Sequence, residues 1–258
     1  MSSESITPSS DGGISSLRAG PYHLVRALGE GAFARTYEGR HETLGTRACV
    51  KIARDVAHTD LMMREARLLW DLHHPSLPVL RDAFALRDGR MALVMRFVEG
   101  TPLESLAPLD VPTAARVLGR LLRALRFVHH RGIVHNDVKP SNIIVEPDRQ
   151  GAVLVDFGVG SFQPGRASRA PGATLAFAAP EVLAGLPPLP ESDLYSLGLT
   201  MLHALGGDIV ARRLPAGVPE GLLALLVSMS RPTPSRRARW GVDDPGRRLE
   251  ALLPALCR

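Results

Sequence analysis

Lysine and asparagine are almost missing from this chain. Among 258 residues and 31 basic side chains, the only lysines are Lys51 and Lys139, and the only asparagines are Asn136 and Asn142. Arginine stands everywhere else that a cation is wanted. An ammonium is a compact point charge, whereas a guanidinium is a wide planar fork. A site that must set one small cation against a phosphate oxygen resists that exchange. Three of the four scarce residues fall within His135-Asn136-Asp137-Val138-Lys139-Pro140-Ser141-Asn142, and Lys51 closes the strand-like run that starts at Arg47.

Other absences exclude whole classes of protein. The two cysteines, Cys49 and Cys257, have neither disulfide nor metal spacing, which suits a reducing cytoplasm. The opening Met1-Ser2-Ser3-Glu4-Ser5 lacks the basic and apolar regions of a secretory signal. No apolar run approaches the length of a membrane span. Aromatic residues are 5% of the chain and arginine is spread along it, so the net charge of +5 is read as a solvated surface and no nucleic acid partner is expected. Histidines His129, His130 and His135 cluster, but with no cysteine or HExxH pattern nearby they do not read as a zinc site. Nothing in the pattern sets an oligomeric state.

What is present divides in two. Residues 1–20 are polar and rich in Ser and Gly, the composition of a disordered leader. From Pro21 to about Gly100 the pattern predicts strands at 22–28, 35–40, 47–53, 79–86 and 90–98. One helix interrupts them at 60–72, with Leu61, Leu68, Leu69 and Leu72 as its apolar residues. Helices dominate afterwards. The stripe Ala114, Val117, Leu118, Leu121, Leu122, Leu125 and Val128 predicts an amphipathic helix over 112–131. Two short strands, 143–145 and 152–155, flank a turn at Asp148-Arg149-Gln150-Gly151. A long loop over 158–190 precedes a largely apolar, buried helix at 191–205, and helices follow at 219–229 and about 243–256.

Several motifs carry chemistry. Gly29-Glu30-Gly31-Ala32-Phe33-Ala34-Arg35-Thr36 joins the first two strands, where glycines let a backbone approach an anion closely. Lys51 needs an anionic partner, and Glu65 on the following helix is the best candidate. Asp137 is a candidate base, with Lys139 two residues on to neutralise a transferring phosphate. Asn142 and Asp156 offer an amide oxygen and a carboxylate to a hard cation. Two such ligands are too few for an all-protein cage and suit Mg²⁺, which keeps waters and substrate phosphates in its shell.

Taken together, these motifs resemble the eukaryotic-type (Hanks-type) serine/threonine protein kinase family, as a compact bacterial member, over about residues 21–258. The glycine loop, strand lysine, helix glutamate, catalytic loop, Asp156-Phe157-Gly158 and Ala179-Pro180-Glu181 occur in that family's order. The resemblance implies an α+β bilobal fold: a small β-rich N-lobe with one helix over 21–98, and a mainly helical C-lobe over 99–258 with a shortened segment between Leu205 and Pro219. It implies ATP and Mg²⁺ as cofactors and a protein Ser/Thr hydroxyl as acceptor. Gly29, Gly31, Phe33, Thr36, Cys49, Lys51, Glu65, Met95, Phe97, Val98 and Ile144 would then contact or position ATP. Asp137 and Lys139 would be catalytic, and Asn142 and Asp156 would hold the metal. Thr174 would contact Asp137 and Lys139, Asp193 would brace the catalytic loop, and Glu181 would pair with Arg237. Leu69, Leu80, His135 and Phe157 would stack as a spine beside Gly158.

The chain also departs from the family. Ala34 replaces the third loop glycine, Thr36 a valine, Cys49 an alanine, and Asn136 the arginine of the catalytic loop. In the family that arginine binds a phosphorylated activation loop. Its loss implies activity independent of loop phosphorylation, with Ser161 and Ser168 incidental. Pro102 and Ser141 replace acidic residues that select arginine-rich substrates, which favours neutral or acidic ones. Two other readings stay open: a pseudokinase acting as a nucleotide-binding scaffold, and a small-molecule phosphotransferase.

Overall fold

A computed structural model describes residues 17–147 and 151–256. The expected turn at 148–151, except Gly151, lies outside them, as do Cys257 and residues 1–16. The described chain forms two compact units, one reaching to Leu72 and including Pro78–Val98, the other His73–Leu77 with everything from Glu99 onward.

The first unit is an antiparallel sheet of six strands: β1 (Arg18–Ala19), β2 (Tyr22–Glu30), β3 (Ala34–His41), β4 (Arg47–Ala53), β5 (Leu80–Ala85) and β6 (Met91–Arg96). Their order is β1-β2-β3-β4-β6-β5. Arg18 and Ala19 lie in the span expected to be a leader, yet they pair with His23 and Tyr22, and Ala19 is fully buried. Gly20, at a φ of 55°, makes the turn between β1 and β2. One face of the sheet packs Leu24, Val50, Ile52 and Val94 beneath Leu17 and Phe84.

Helix α1 (Thr59–Leu69) covers the other face. Its buried residues are Met62, Glu65, Ala66 and Leu69, at the i, i+3, i+4, i+7 positions of one helical face. The expected stripe through Leu61 and Leu68 is therefore rotated; those two are only half-buried, and the helix stops at Leu69 rather than Leu72. A glutamate at the centre of an apolar face obscured the period, and that glutamate is the residue that matters.

The second unit is built on α3 (Val111–His129), which follows β7 (Thr101–Pro102) and the single turn α2 (Leu103–Leu106). Asp110 caps α3, accepting from the Thr113 amide at 2.8 Å, with Pro112 in the first turn where its missing N–H costs nothing. Every residue of the predicted α3 stripe is buried. After it come β8 (Ile133–Val134), β9 (Ile143–Val145), β10 (Ala152–Leu154) and β11 (Ser161–Phe162). These pair as a three-stranded ladder β10-β9-β7 and a two-stranded β11-β8.

The long loop expected over 158–190 thus contains a strand and the single turn α4 (Pro180–Leu183). Helix α5 (Pro190–Ala204) is buried along almost its whole length, as its apolar sequence implied. Helices α6 (Glu220–Met229) and α7 (Pro245–Leu256) complete the unit. Between Ala204 and Glu220 the described residues form no helix. The chain instead turns through a bridge of Asp208 with Arg213, in which the Asp208 carboxylate accepts from the amides of Val210 and Ala211.

Leu121 on α3 is fully buried, whereas Leu44 is 69% exposed. Leu121→Ala should destabilise the protein by about 2–5 kcal/mol, and Leu44→Ala by no more than about 0.5 kcal/mol, measured by urea denaturation.

Candidate active site

In the first unit, the Lys51 ammonium donates to both Glu65 carboxylate oxygens, at 2.8 and 2.6 Å. The pair is buried: the two side chains are 11% and 1% exposed. Sheet register sets Lys51 opposite Thr36 on β3 and Leu93 on β6, and the buried face of α1 carries Glu65 inward. A buried ion pair of this kind does little for stability by itself, because desolvation offsets its attraction. Its value is a cation fixed in position.

The glycine loop is closed by a hydrogen bond from the Gly31 amide to the Ala34 carbonyl at 2.9 Å. Neither Gly29 nor Gly31 has a positive φ, and a β-carbon built on Gly29 would meet no protein atom within 4 Å. Neither the dihedrals nor the packing of the protein demands glycine there, so a ligand that approaches the backbone closely fits the observation. The Phe33 ring packs against His58, with centroids 5.4 Å apart. Cys49 lies opposite Met95, which is 7% exposed. Phe97 lies beneath the Arg47 guanidinium, 3.9 Å from its ring centroid, and Val98 ends the unit.

In the second unit, three sequence-predicted residues meet around the carboxylate of a fourth. Asp137 accepts from the Thr174 hydroxyl at 2.7 Å and pairs with the Lys139 ammonium at 2.7 Å. Lys139 also donates to the Thr174 oxygen at 2.8 Å. The Asn142 amide donates to the Asp137 backbone carbonyl at 2.9 Å and to its carboxylate at 3.0 Å. Both acceptors face the nitrogen, so the side-chain oxygen of Asn142 turns away from Asp137, as a metal ligand requires. Asp156 holds a positive φ of 67° and accepts from the Gly158 amide at 3.2 Å. Among the described residues no three His, Cys, Asp or Glu side chains gather to cage a metal. An amide oxygen with one carboxylate fits a cation that takes most of its shell from water and phosphate. Ile144 sits on β9, opposite Val153 and Pro102.

The catalytic loop is braced from below. Asp193, fully buried on α5, accepts from the backbone amides of His135 and Asn136, each at 2.8 Å. His129 adds a third bond to Asp193 at 2.8 Å, and the Trp240 indole N–H donates to its other ring nitrogen at 2.8 Å. That donor requires His129 to carry its proton on Nε2, facing Asp193. Sequence reasoning weighed His129 only as part of a histidine cluster and missed Trp240; the available signal was a histidine ending the buried stripe of α3.

His135 is fully enclosed, and burial pushes its imidazole below the ordinary histidine range, against the pull of Asp193, Asp137 and Asp156. It is neutral. It donates from Nε2 to the Val155 carbonyl and accepts from the Asp137 amide on Nδ1. Its ring meets Phe157 edge-on, centroids 4.5 Å apart. The other expected spine residues, Leu69 and Leu80, lie in the first unit.

Glu181 and Arg237 form a bidentate pair at 2.6 and 2.7 Å. Arg237 also donates to the carbonyls of Arg231, Glu191 and Pro232, and Ser192 donates to Glu181 at 2.6 Å. Burial alone would raise the Glu181 pKa, but the hydrogen bonds from Arg237 and Ser192 outweigh it and hold the carboxyl below the ordinary glutamate range.

Comparison with known proteins agrees with this geometry. Residues 22–215 match the protein kinase domain family. Relatives include serine/threonine-protein kinase PknH of Mycobacterium bovis, 34% identical over 200 residues, covering 73% of this chain and 33% of that protein. Serine/threonine-protein kinase D of Synechocystis is 31% identical over 205 residues, covering 71% and 40%. Serine/threonine-protein kinase Pkn1 of Myxococcus xanthus is 33% identical over 233 residues, covering 84% and 33%. This chain spans roughly a third of the length of the relatives it matches. It belongs to the protein kinase family, as a bacterial Hanks-type member of its serine/threonine branch. Among the described residues no helix is long and apolar enough to cross a membrane.

The Glu181–Arg237 pair yields a prediction with a definite sign. A carboxyl held below its unfolded pKa contributes stability that is complete above the unfolded value and lost as pH falls through the folded one. The stability advantage of wild type over Glu181→Gln should therefore shrink steadily from about pH 4.3 downward. Arg237→Ala, which strands a buried carboxylate, should cost about 3–5 kcal/mol at neutral pH. Denaturant melts across the pH series check both.

Proposed function

We propose that this chain transfers the γ-phosphoryl group of ATP to serine or threonine hydroxyls of a protein substrate. The closed arrangement of Asp137, Lys139, Thr174 and Asn142 is the single observation that carries this reading. It leaves one carboxylate surrounded by donors, with a cation beside it that meets a developing negative charge.

In this reading Asp137 orients the acceptor hydroxyl and takes its proton at a carboxylate oxygen. Thr174 keeps that carboxylate from rotating. Lys139 neutralises charge on the transferring group, and Lys51, fixed by Glu65, neutralises the nucleotide phosphates. Gly29, Gly31, Phe33 and Thr36 cover the phosphates, while Cys49, Met95, Phe97 and Val98 receive the base. Asn142 and Asp156 would hold Mg²⁺, which when bound would supply positive charge against the phosphates. Positioning and electrostatics supply most of such catalysis, so rigid second contacts matter as much as the reacting groups.

The assigned catalytic domain is residues 21–258, to which β1 adds Arg18 and Ala19, with a leader before it. We assign it to the reducing, ATP-supplied cytoplasm. The lack of acidic side chains at Pro102 and Ser141 favours neutral or acidic protein substrates.

Incubation of the phosphatase-treated protein with Mg²⁺, γ-labelled ATP and a mixed protein acceptor tests the reading, with acceptor residues mapped by mass spectrometry. Phosphoserine and phosphothreonine are expected, with turnover at least about 1,000-fold lower for Asp137→Asn and Lys51→Met, a loss of roughly 4 kcal/mol in transition-state stabilisation. Nucleotide binding without transfer would replace this reading with a scaffold; label on a metabolite would replace it with a small-molecule phosphotransferase.

A further inference from the structure

Asn136 occupies a constrained position. Its backbone amide is held by Asp193, its φ is 71°, and it is 4% exposed. The side-chain nitrogen donates to the Val159 carbonyl at 2.8 Å and to the Ser161 hydroxyl oxygen at 2.9 Å. A carbonyl only accepts, so the nitrogen must face Val159, and both of its protons are used. The side-chain oxygen is buried and has no hydrogen-bond partner. Orienting the amide the other way would let its oxygen accept from the Ser161 hydroxyl, but would set that oxygen against the Val159 carbonyl and leave the NH2 group where the unpartnered oxygen now lies. The structure therefore keeps an unsatisfied acceptor to preserve these two bonds.

Both bonds reach the segment that follows Asp156-Phe157-Gly158. Ser161 opens β11 and pairs with Val134 of β8, and the Gln163 amide donates to the Gly132 carbonyl at 2.7 Å. Asn136 thus joins three pieces: α5 through Asp193, the catalytic loop through its own backbone, and the start of the following segment through its side chain. All three contacts lie in the second unit. The contacts to the segment are uncharged, and one of the two protons of the Asn136 amide is already given to the Val159 carbonyl, so a negative charge at residue 161 would meet a single neutral donor from this side chain.

We propose that Asn136 is a positioning residue, a neutral latch on the segment after Gly158, and that the latch closes only while residue 161 is uncharged. An arginine at 136 would favour an anion at 161 through charge-assisted hydrogen bonds; asparagine, with one proton already on Val159, lacks the donors and the charge to do so. Ser161 is then a working part of the site and not an incidental hydroxyl. A negative charge there opens the segment and lowers activity, opposite in sign to an arrangement with arginine.

The effect on turnover rests on the kinase reading, but the latch itself does not, so two readouts are needed. Hydrogen–deuterium exchange of the amides from Phe157 to Gln163 reports the latch directly. Labelled-phosphate transfer reports its consequence. Asn136→Asp keeps the shape and tolerates the positive φ but cannot donate to Val159. Ser161→Glu adds the charge, and Ser168→Glu places the same charge elsewhere on the loop. Asn136→Arg combined with Ser161→Glu supplies a charged replacement. Exchange in this segment should rise at least tenfold in Asn136→Asp and in Ser161→Glu, remain at the wild-type level in Ser168→Glu, and return toward wild type in the double variant. Turnover should fall at least tenfold in Ser161→Glu and recover to within about threefold in the double variant. Wild-type exchange in both single variants, or a double variant no better protected than Ser161→Glu, overturns the latch. A wild-type protein without transfer activity counts against the kinase reading alone, since exchange still decides the latch.

Discussion

One buried carboxylate organises the second unit. Asp193 lies on a helix that is itself buried, and it has no access to water with which to satisfy its charge. Three donors do so instead: two successive backbone amides of the catalytic loop and the imidazole of His129. An ionised carboxylate in such surroundings is tolerated only when its lone pairs are filled, so the loop that fills them is held as firmly as the charge demands. The positions of His135 and Asn136 follow from that demand. The side chain of Asn136 and the carboxylate of Asp137 are then presented from a backbone with little freedom to rotate.

The charged and uncharged contacts divide the work. Where a cation must stay put, the chain uses a buried ion pair: Lys51 with Glu65 in the first unit, Arg237 with Glu181 in the second. The choice of base matches the geometry. Arg237 reaches both oxygens of Glu181 and three carbonyls besides, which needs a planar fork with five donors. Lys139 must touch a carboxylate and a hydroxyl oxygen within one small volume, which needs a point charge. The scarcity of lysine therefore has a physical reading: arginine has replaced it wherever a fork serves.

Much of this was legible in the sequence. Strands over 47–53 and 143–145 appear where the pattern put them, because β-branched and apolar runs bounded by turn residues leave few alternatives. The catalytic loop, Asp193 and the Glu181–Arg237 pair were identified from a family resemblance, and their contacts lie as that resemblance implied. Less visible was anything that depends on which side of an element faces inward. The period of α1 was misplaced because Glu65 sits among its buried residues, and a period count treats a glutamate as a surface position. Trp240 escaped notice for another reason: its partner His129 is 111 residues away, and no local pattern records a contact of that separation. The pairing of Arg18 and Ala19 was hidden by the polar composition around them, although the burial of a single alanine fixes them to the sheet.

The bracing of the catalytic loop also has an order in time. During synthesis the loop emerges well before its supports, since Asp193 follows His135 by 58 residues and Asn136 by 57. Trp240 arrives later still, and Arg126 finds Asp244 only 118 residues on. Because domains fold largely as their chains become available, the nascent loop has no fixed geometry until α5 has been made, and its histidine support is completed only once Trp240 has followed. The Asp137 carboxylate is therefore among the earlier parts of the second unit to be made and among the last to be set in place.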